Sequence, residues 1–236
     1  MKYTYLLIDC CSVLFPVLFS FHPRLKFYKS WPAVLPAIAI SGVVFIAWDM
    51  YFTKLKVWGF NPAYLTGVYI WNLPIEELLF FICIPYACMF TYACLPQKGF
   101  GKKIENWLSS LLISCSLILA LWFHDRYYTA CTFALLALLI FTAGFVFKAT
   151  WLSRFYQSYL ILLLPFVLVN GLLTGTCLAA PVVWYNPAEI IGIRILTIPF
   201  EDIFYGMGLI LLNILIYTWI CENHYRRAKA QKKATF

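Results

Sequence analysis

Apolar residues fall along this chain in seven blocks, and the polar residues collect between them. The blocks cover about residues 2–20, 31–52, 75–95, 107–124, 128–147, 157–178 and 198–221. A helix rises about 1.5 Å per residue, so about 20 apolar residues match a hydrocarbon core roughly 30 Å thick. The pattern predicts an all-α integral membrane protein with seven transmembrane helices. No stretch between the blocks is long or polar enough for a separate soluble domain. The first block carries Asp9 and lacks a clear small-residue cleavage site, so it reads as a span and not as a signal peptide.

Within this pattern one segment occurs twice. Residues 60–80 and 185–205 align without a gap at an offset of 125. Asn61/Asn186, Pro62/Pro187, Gly67/Gly192, Pro74/Pro199 and Glu76/Glu201 are identical, and Glu77 meets Asp202. The same offset carries the first three apolar blocks onto the fifth, sixth and seventh. The fourth has no partner. Two three-helix units joined directly would have opposite orientations, and one extra crossing makes them parallel. The expected organisation is therefore a first repeat at 1–96, a linker with a bridging helix at 97–126, a second repeat at 127–221 and a basic tail at 222–236. Both acid pairs then lie at one depth and can face each other across a pseudo-twofold axis.

Composition sharpens the membrane reading. Hydrophobic residues make up 63% of the chain and charged residues 12%. In the seven-span arrangement, 13 of the 18 Lys and Arg residues lie on the side holding the tail, and 5 lie on the other. The excess of basic residues predicts a cytoplasmic C-terminus and an outer N-terminus, in a bacterial inner membrane. The net charge of +8 reads as a topology signal and an anionic-lipid contact, not as nucleic-acid binding. Nine cysteines form no Cys-x-x-Cys or Cys/His cluster, so neither a disulfide frame nor a metal site is expected.

The paired acids hold the chemistry. One reading is structural: Pro74 starts a helix, and Glu76 and Glu77 sit in its first turn, where the helix dipole favours negative charge. That accounts for one carboxylate per helix better than for two. Neighbouring helical residues point about 100° apart, so the two acids of a pair have different surroundings. Phe80, Phe81 and Tyr205 follow the acids by one turn, and Trp71, Trp184 and Tyr185 precede them. Those linker aromatics either form interfacial belts or fold back over a cavity. In a dry pocket, burial and a second carboxylate can keep one acid protonated while another stays ionised. Such a pair, walled by π faces, suits carbocation chemistry: an acid protonates an alkene, rings stabilise the cation, and a base removes a proton. Asp9 and Asp49 also lie in or near spans, but the positions 125 residues on are Ala134 and Thr174. Arg194 either neutralises a carboxylate or extends to the interface.

The duplicated motif, Pro74-Ile75-Glu76-Glu77 and Pro199-Phe200-Glu201-Asp202, resembles the membrane-embedded, non-flavin lycopene cyclase family, whose two halves are separate subunits in some bacteria and fused in others, in archaea and in fungi. The resemblance covers nearly the whole chain. It implies acid-catalysed cyclisation of lycopene or a related acyclic carotenoid to β-rings, with no cofactor and no net redox change. It points to Glu76, Glu77, Glu201 and Asp202 as catalytic, with Glu76 and Glu201 as the leading donor candidates and Glu77 and Asp202 as ionised partners or the terminal base, an order the sequence leaves open. Trp71, Phe80, Phe81, Trp184, Tyr185 and Tyr205 would stabilise the cation. Partners would be the substrate, the bilayer and other carotenoid-pathway enzymes. Asp202 departs from the first copy by its shorter arm.

Other classes fit less well. A retinal protein needs a Schiff-base lysine in its last span, which has none. A prenyl-diphosphate enzyme needs acids spaced for Mg²⁺ and a flavin enzyme a Gly-x-Gly-x-x-Gly fingerprint. The remaining competitors are a transporter with proton-relay acids and a non-catalytic scaffold.

Overall fold

A computed structural model describes residues 2–95 and 99–234, with side chains through His224. Lys98 and the tail residues Arg226, Arg227, Lys229, Lys232 and Lys233, which contribute to the charge bias, lie outside the described side chains. The helices are α1 (Thr4–Ser20), α2 (Trp31–Lys54), α3 (Ile75–Cys94), α4 (Lys102–Trp122), α5 (Tyr127–Phe141, extended by a π-helical turn), α6 (Leu152–Leu173) and α7 (Phe200–Ala234). Six are long and apolar enough to cross a membrane, and α1 is shorter at 17 residues. The all-α, seven-helix architecture expected from the apolar blocks is the one observed.

Two helices start about five residues earlier than the apolar blocks do, because their polar first turns find partners. Glu105 on α4 pairs with Lys102 and accepts the backbone N–H of Ser153 at 3.0 Å. Arg154 on α6 donates to the carbonyls of Tyr92 at 2.5 Å and Leu95 at 3.4 Å, at the end of α3. A cation there also offsets the negative end of the helix dipole.

The strands are two or three residues long: β1 (Trp58–Phe60), β2 (Tyr69–Ile70), β3 (Leu73–Pro74), β4 (Val183–Tyr185), β5 (Arg194–Ile195) and β6 (Ile198–Pro199). β2–β3 and β5–β6 are equivalent hairpins leading into α3 and α7. β1 pairs antiparallel with β4, its own repeat partner, with Gly59 opposite Trp184. Those two positions are 125 apart, so the pseudo-twofold axis passes through that pair. Gly59 is needed there because any Cβ would run into the Trp184 indole.

The two linkers fold by the same local chemistry. Asn61 and Asn186 accept the backbone N–H of the residue two on, from Ala63 at 3.1 Å and Ala188 at 3.0 Å, and each starts a short 3₁₀ turn. Gly67 and Gly192 sit at φ +90° and +91°. Ile75 N–H donates to the Val68 carbonyl, and Phe200 N–H to that of Ile193. Pro74 is the N-cap of α3 rather than its first helical residue.

Symmetry is weaker among the helices. α1 packs on α3 as α5 packs on α7, and α4 lies against α5. But α2 packs closely on both α3 and α7, while its counterpart α6 meets them only sparsely.

Nothing lies within 4 Å of a Cβ built on Gly67 or Gly192, so substitution there would add backbone strain and no clash. Gly67→Ala and Gly192→Ala should each cost roughly 1 kcal/mol or more, lowering the thermal midpoint in detergent by a few degrees. Trp71→Gly should do the reverse, since Trp71 occupies φ +57° with its side chain 82% exposed.

Candidate active site

The linkers fold back as a roof over the first turns of α3 and α7, so both acid pairs are sealed from the surface. Glu76 and Glu201 are 0% exposed, Asp202 3% and Glu77 8%. Adjacent acids on one helix turn in different directions, and the repeats use this identically. Glu76 Oε1 accepts the backbone N–H of Thr66 at 2.6 Å, and Glu201 Oε1 that of Ile191 at 2.6 Å. Thr129 Oγ1 adds a second donor to Glu201 at 2.6 Å. These two glutamates therefore hold each linker down on the helix it precedes. The other oxygen of each is buried without a hydrogen-bond partner among the described residues.

Glu77 and Asp202 point instead into one chamber beneath β1 and β4. Tyr5 O–H donates to Glu77 Oε2 at 2.5 Å. Asp202 receives two phenols, Tyr128 at 2.6 Å and Tyr185 at 2.9 Å. Asp49 lines the same chamber and accepts Trp58 Nε1–H through Oδ1, while its Oδ2 is buried with no hydrogen-bond partner among the described residues. Burial and the Asp202 carboxylate push the Tyr185 phenol well above its ordinary range, so it remains an O–H donor.

Aromatic rings make up much of the wall. Tyr128 stacks on Tyr185 with centroids 5.7 Å apart and meets Trp58 edge-on at 5.1 Å. Tyr205 meets Trp58 edge-on at 6.3 Å, and Phe80 lies beside Tyr5 at 6.4 Å. A cation in such a space would face several π surfaces.

Of the residues singled out in the sequence, the structure gathers Glu77, Asp202, Phe80, Tyr185 and Tyr205 around this chamber. It places Glu76 and Glu201 one row behind, on the linkers. Three expected cation-stabilising rings stand elsewhere. Trp71 is at the turn between β2 and β3, held out by its left-handed backbone. Trp184 covers Gly59 at the axis. Phe81 packs against Phe45 of α2 at 6.2 Å. Arg194 donates to the Thr197 carbonyl at 2.6 Å and lies 6.0 Å over the Tyr185 ring, so it closes a turn and makes no contact with a carboxylate.

Tyr5, Tyr128 and Asp49 are the chamber residues that the repeat comparison passes over. Tyr5 and Tyr128 do the same job from positions 123 apart, off the 125 register that Thr4 and Thr129 keep. Asp49 and its counterpart Thr174 both line the chamber but differ in chemistry. Asp9 is buried on α1, lines neither this chamber nor the apolar cleft joined to it, and its oxygens have no hydrogen-bond partner among the described residues. Among the described residues there is no group of three metal-ligating side chains.

A model of the lycopene cyclase family matches residues 2–95 and 125–220. The bifunctional lycopene cyclase/phytoene synthase of Aspergillus oryzae is 27% identical over 168 residues, covering 67% of this chain and 26% of that protein. The protein of the same description from Colletotrichum graminicola is 29% identical over 121 residues, 42% of this chain and 21% of its own length. That from Gibberella fujikuroi is 32% identical over 63 residues, 27% and 11%. This chain thus spans about a quarter or less of the curated relatives it matches. No solved structure matches it. With the family model covering both motif-bearing halves, the chain belongs to the lycopene cyclase family.

Proposed function

We propose that this protein cyclises the acyclic end groups of lycopene, or a closely related carotene, by proton transfer within the roofed chamber. The observation that carries the reading is that carboxyl groups from both repeats, Glu77 and Asp202, line one aromatic-walled space. A chain duplicated only for architecture has no need to aim an acid from each half at the same point, since carboxyls among apolar spans are expensive.

The roles follow from the hydrogen bonds. Glu77 and Asp49 are two carboxyl groups buried in one chamber, an arrangement that favours keeping a proton on one of them, so this pair is the acid. It adds a proton to C2 of the end group and leaves a cation at C1. The C5–C6 double bond attacks C1, closing a six-membered ring and moving the cation to C5. Asp202, held by two phenolic donors, is suited to remain the anion. It stabilises the cation and takes the proton from C6, which leaves a C5–C6 double bond and a β-ring. One proton enters and one leaves, so the step is an isomerisation and needs no oxidant, reductant or cofactor. A dry site makes each charge contact stronger than it would be in water and keeps water from trapping the cation. Glu76 and Glu201 position the roof. The charge bias supports an orientation with the chamber toward the outer face of the membrane and the tail in the cytoplasm.

Pigment analysis in a lycopene-accumulating host tests the reading. The wild type should consume lycopene and form a mono- or bicyclic carotene. Glu77→Gln and Asp202→Asn should each reduce conversion by roughly 10²-fold or more, the range of a lost acid or base. Glu76→Gln should keep most activity, because its amide oxygen still accepts the Thr66 N–H. Equal loss in Glu76→Gln and Glu77→Gln, with both proteins folded, would sink these assignments. Glu76→Ala removes that acceptor and should cost about 1–3 kcal/mol in stability.

Tyr128→Phe and Tyr185→Phe supply a graded check on Asp202. Each removes one of its two donors and retains the ring. Each should slow cyclisation by about tenfold, and together they should approach the loss seen for Asp202→Asn.

A further inference from the structure

The loose packing of α6 leaves a second cavity of about 230 Å³ running down from the acid chamber. α3 and α7 form its floor, and α1 and α6 its two banks. It joins the chamber at four shared residues, Phe80, Asn170, Asp202 and Tyr205. From there the walls are almost wholly apolar, with Ile84, Leu162, Val169, Leu209 and Ile210 among them. Between Phe80 and Thr91 the α3 wall rises about 16 Å, half the thickness of a hydrocarbon core. On the α6 bank the neighbouring Leu164 and Leu168 are exposed on the lipid side.

The pseudo-symmetric counterpart of this cleft would lie between α2, α5, α7 and α3. It is filled. Phe45 meets Tyr205 edge-on at 5.2 Å and stacks on Trp48 at 5.8 Å, and Trp48 meets Tyr205 at 5.5 Å. The residues 125 on from Phe45 and Trp48 are Asn170 and Leu173. Two large rings on one side thus become a small amide and an aliphatic side chain on the other. On α7 the floor is lowered at Gly206, where a Cβ would stand 3.3 Å from the Phe166 ring and the Tyr159 hydroxyl.

We propose that the cleft between α1 and α6 is the binding site for the linear polyene tail of the substrate, reached sideways from the bilayer, with Gly206 setting its bore and Asn170 marking the passage into the chamber. The proposal rests on the cyclase reading and adds where the rest of the molecule lies while one end reacts. The occupant is argued from continuity: a chain whose end group reaches Asp202 has this apolar channel as its way out, because the equivalent channel is blocked by Phe45 and Trp48. It follows that one end group is treated at a time.

Lycopene is achiral, so its visible absorption bands carry no circular dichroism when it is free in a membrane, and a chiral tunnel wall induces it. The purified Glu77→Gln protein, which should hold lycopene unconverted, is titrated with lycopene and read by visible circular dichroism. A saturable induced band is expected. Gly206→Leu and Ala87→Leu, which narrow the cleft from opposite walls, should abolish that band. In the otherwise native protein each should reduce ring formation on the order of a hundredfold, with the helical spectrum retained in both and the thermal midpoint retained in Ala87→Leu. Gly206→Ala adds a single methyl group that a slight shift of Phe166 can absorb, and should give a smaller fall. If the narrowed proteins convert lycopene at the native rate, or if the native protein converts it while Glu77→Gln gives no induced band, the cleft holds lipid and the proposal is wrong. An induced band lost on narrowing, in a protein that never forms rings, would instead keep the tunnel and overturn the cyclase reading.

Discussion

A carboxyl group taken out of water must find donors, and here the donors are backbone N–H groups of the linker that has just crossed above it. Glu76 takes Thr66 and Glu201 takes Ile191, in the same geometry and at the same length. The architecture of the site depends on these two contacts. They fold each linker back over its own helix. The folded linkers then bring β1 to β4, and that pairing sets the two halves about their axis. The clamps add backbone anchors to the side-chain ones that Trp58 makes to Asp49 and Tyr185 to Asp202, and together these contacts keep Glu77 and Asp202 from facing water at the membrane surface. A carboxylate there is an ordinary helix-start residue.

The motif therefore needs two acids because it performs two tasks about 100° apart. One acid is used up in building the chamber and the other is left to point into it. The symmetry holds strictly for the building task, where the Asx turns, positive-φ glycines and clamp bonds all repeat at 125. It relaxes for the pointing acids. Glu77 has one phenol and shares the chamber with the Asp49 carboxyl, and Asp202 has two phenols. A reaction that takes a proton from one place and returns it at another requires two unlike groups. The departure of Asp202 from glutamate and of Thr174 from Asp49 is where the duplication becomes unequal.

Much of this was open to reading in the chain. Seven apolar blocks became seven helices, and the 125-residue offset located the acid pairs. What remained hidden has physical causes. The geometry of a helix says that Glu76 and Glu77 face different ways, but which one faces inward depends on the linker N–H groups, and a loop has no periodicity to betray its path. Glu76 and Glu201, expected to face the reaction, take the linker N–H groups, and Glu77 and Asp202 line the chamber. Aromatic linker residues had two destinations, and both occur: Trp58, Tyr64 and Tyr185 roof the site, whereas Tyr69 and Trp71 are exposed. Tyr5 and Tyr128 escaped because a long phenol reaches the same carboxyl position from a neighbouring turn, so function is preserved while sequence register is not.

The asymmetric helix packing is the last consequence. Inside a bilayer, lipid tails are as apolar as leucine, so helices associate by close van der Waals fit and not by escape from water. A gap between spans is then not closed by a general hydrophobic force. It closes only where side chains of the right shape fill it. Phe45 and Trp48 fill one, and the cleft between α1 and α6, lined by Asn170 and Gly206, stays open. An open cleft in this setting costs mainly lost dispersion contacts, which an apolar guest of matching width restores. The same substitution pattern that loosens α6 thus creates a place suited to a molecule that already lives in the bilayer, and joins it to the one point where both repeats present an acid.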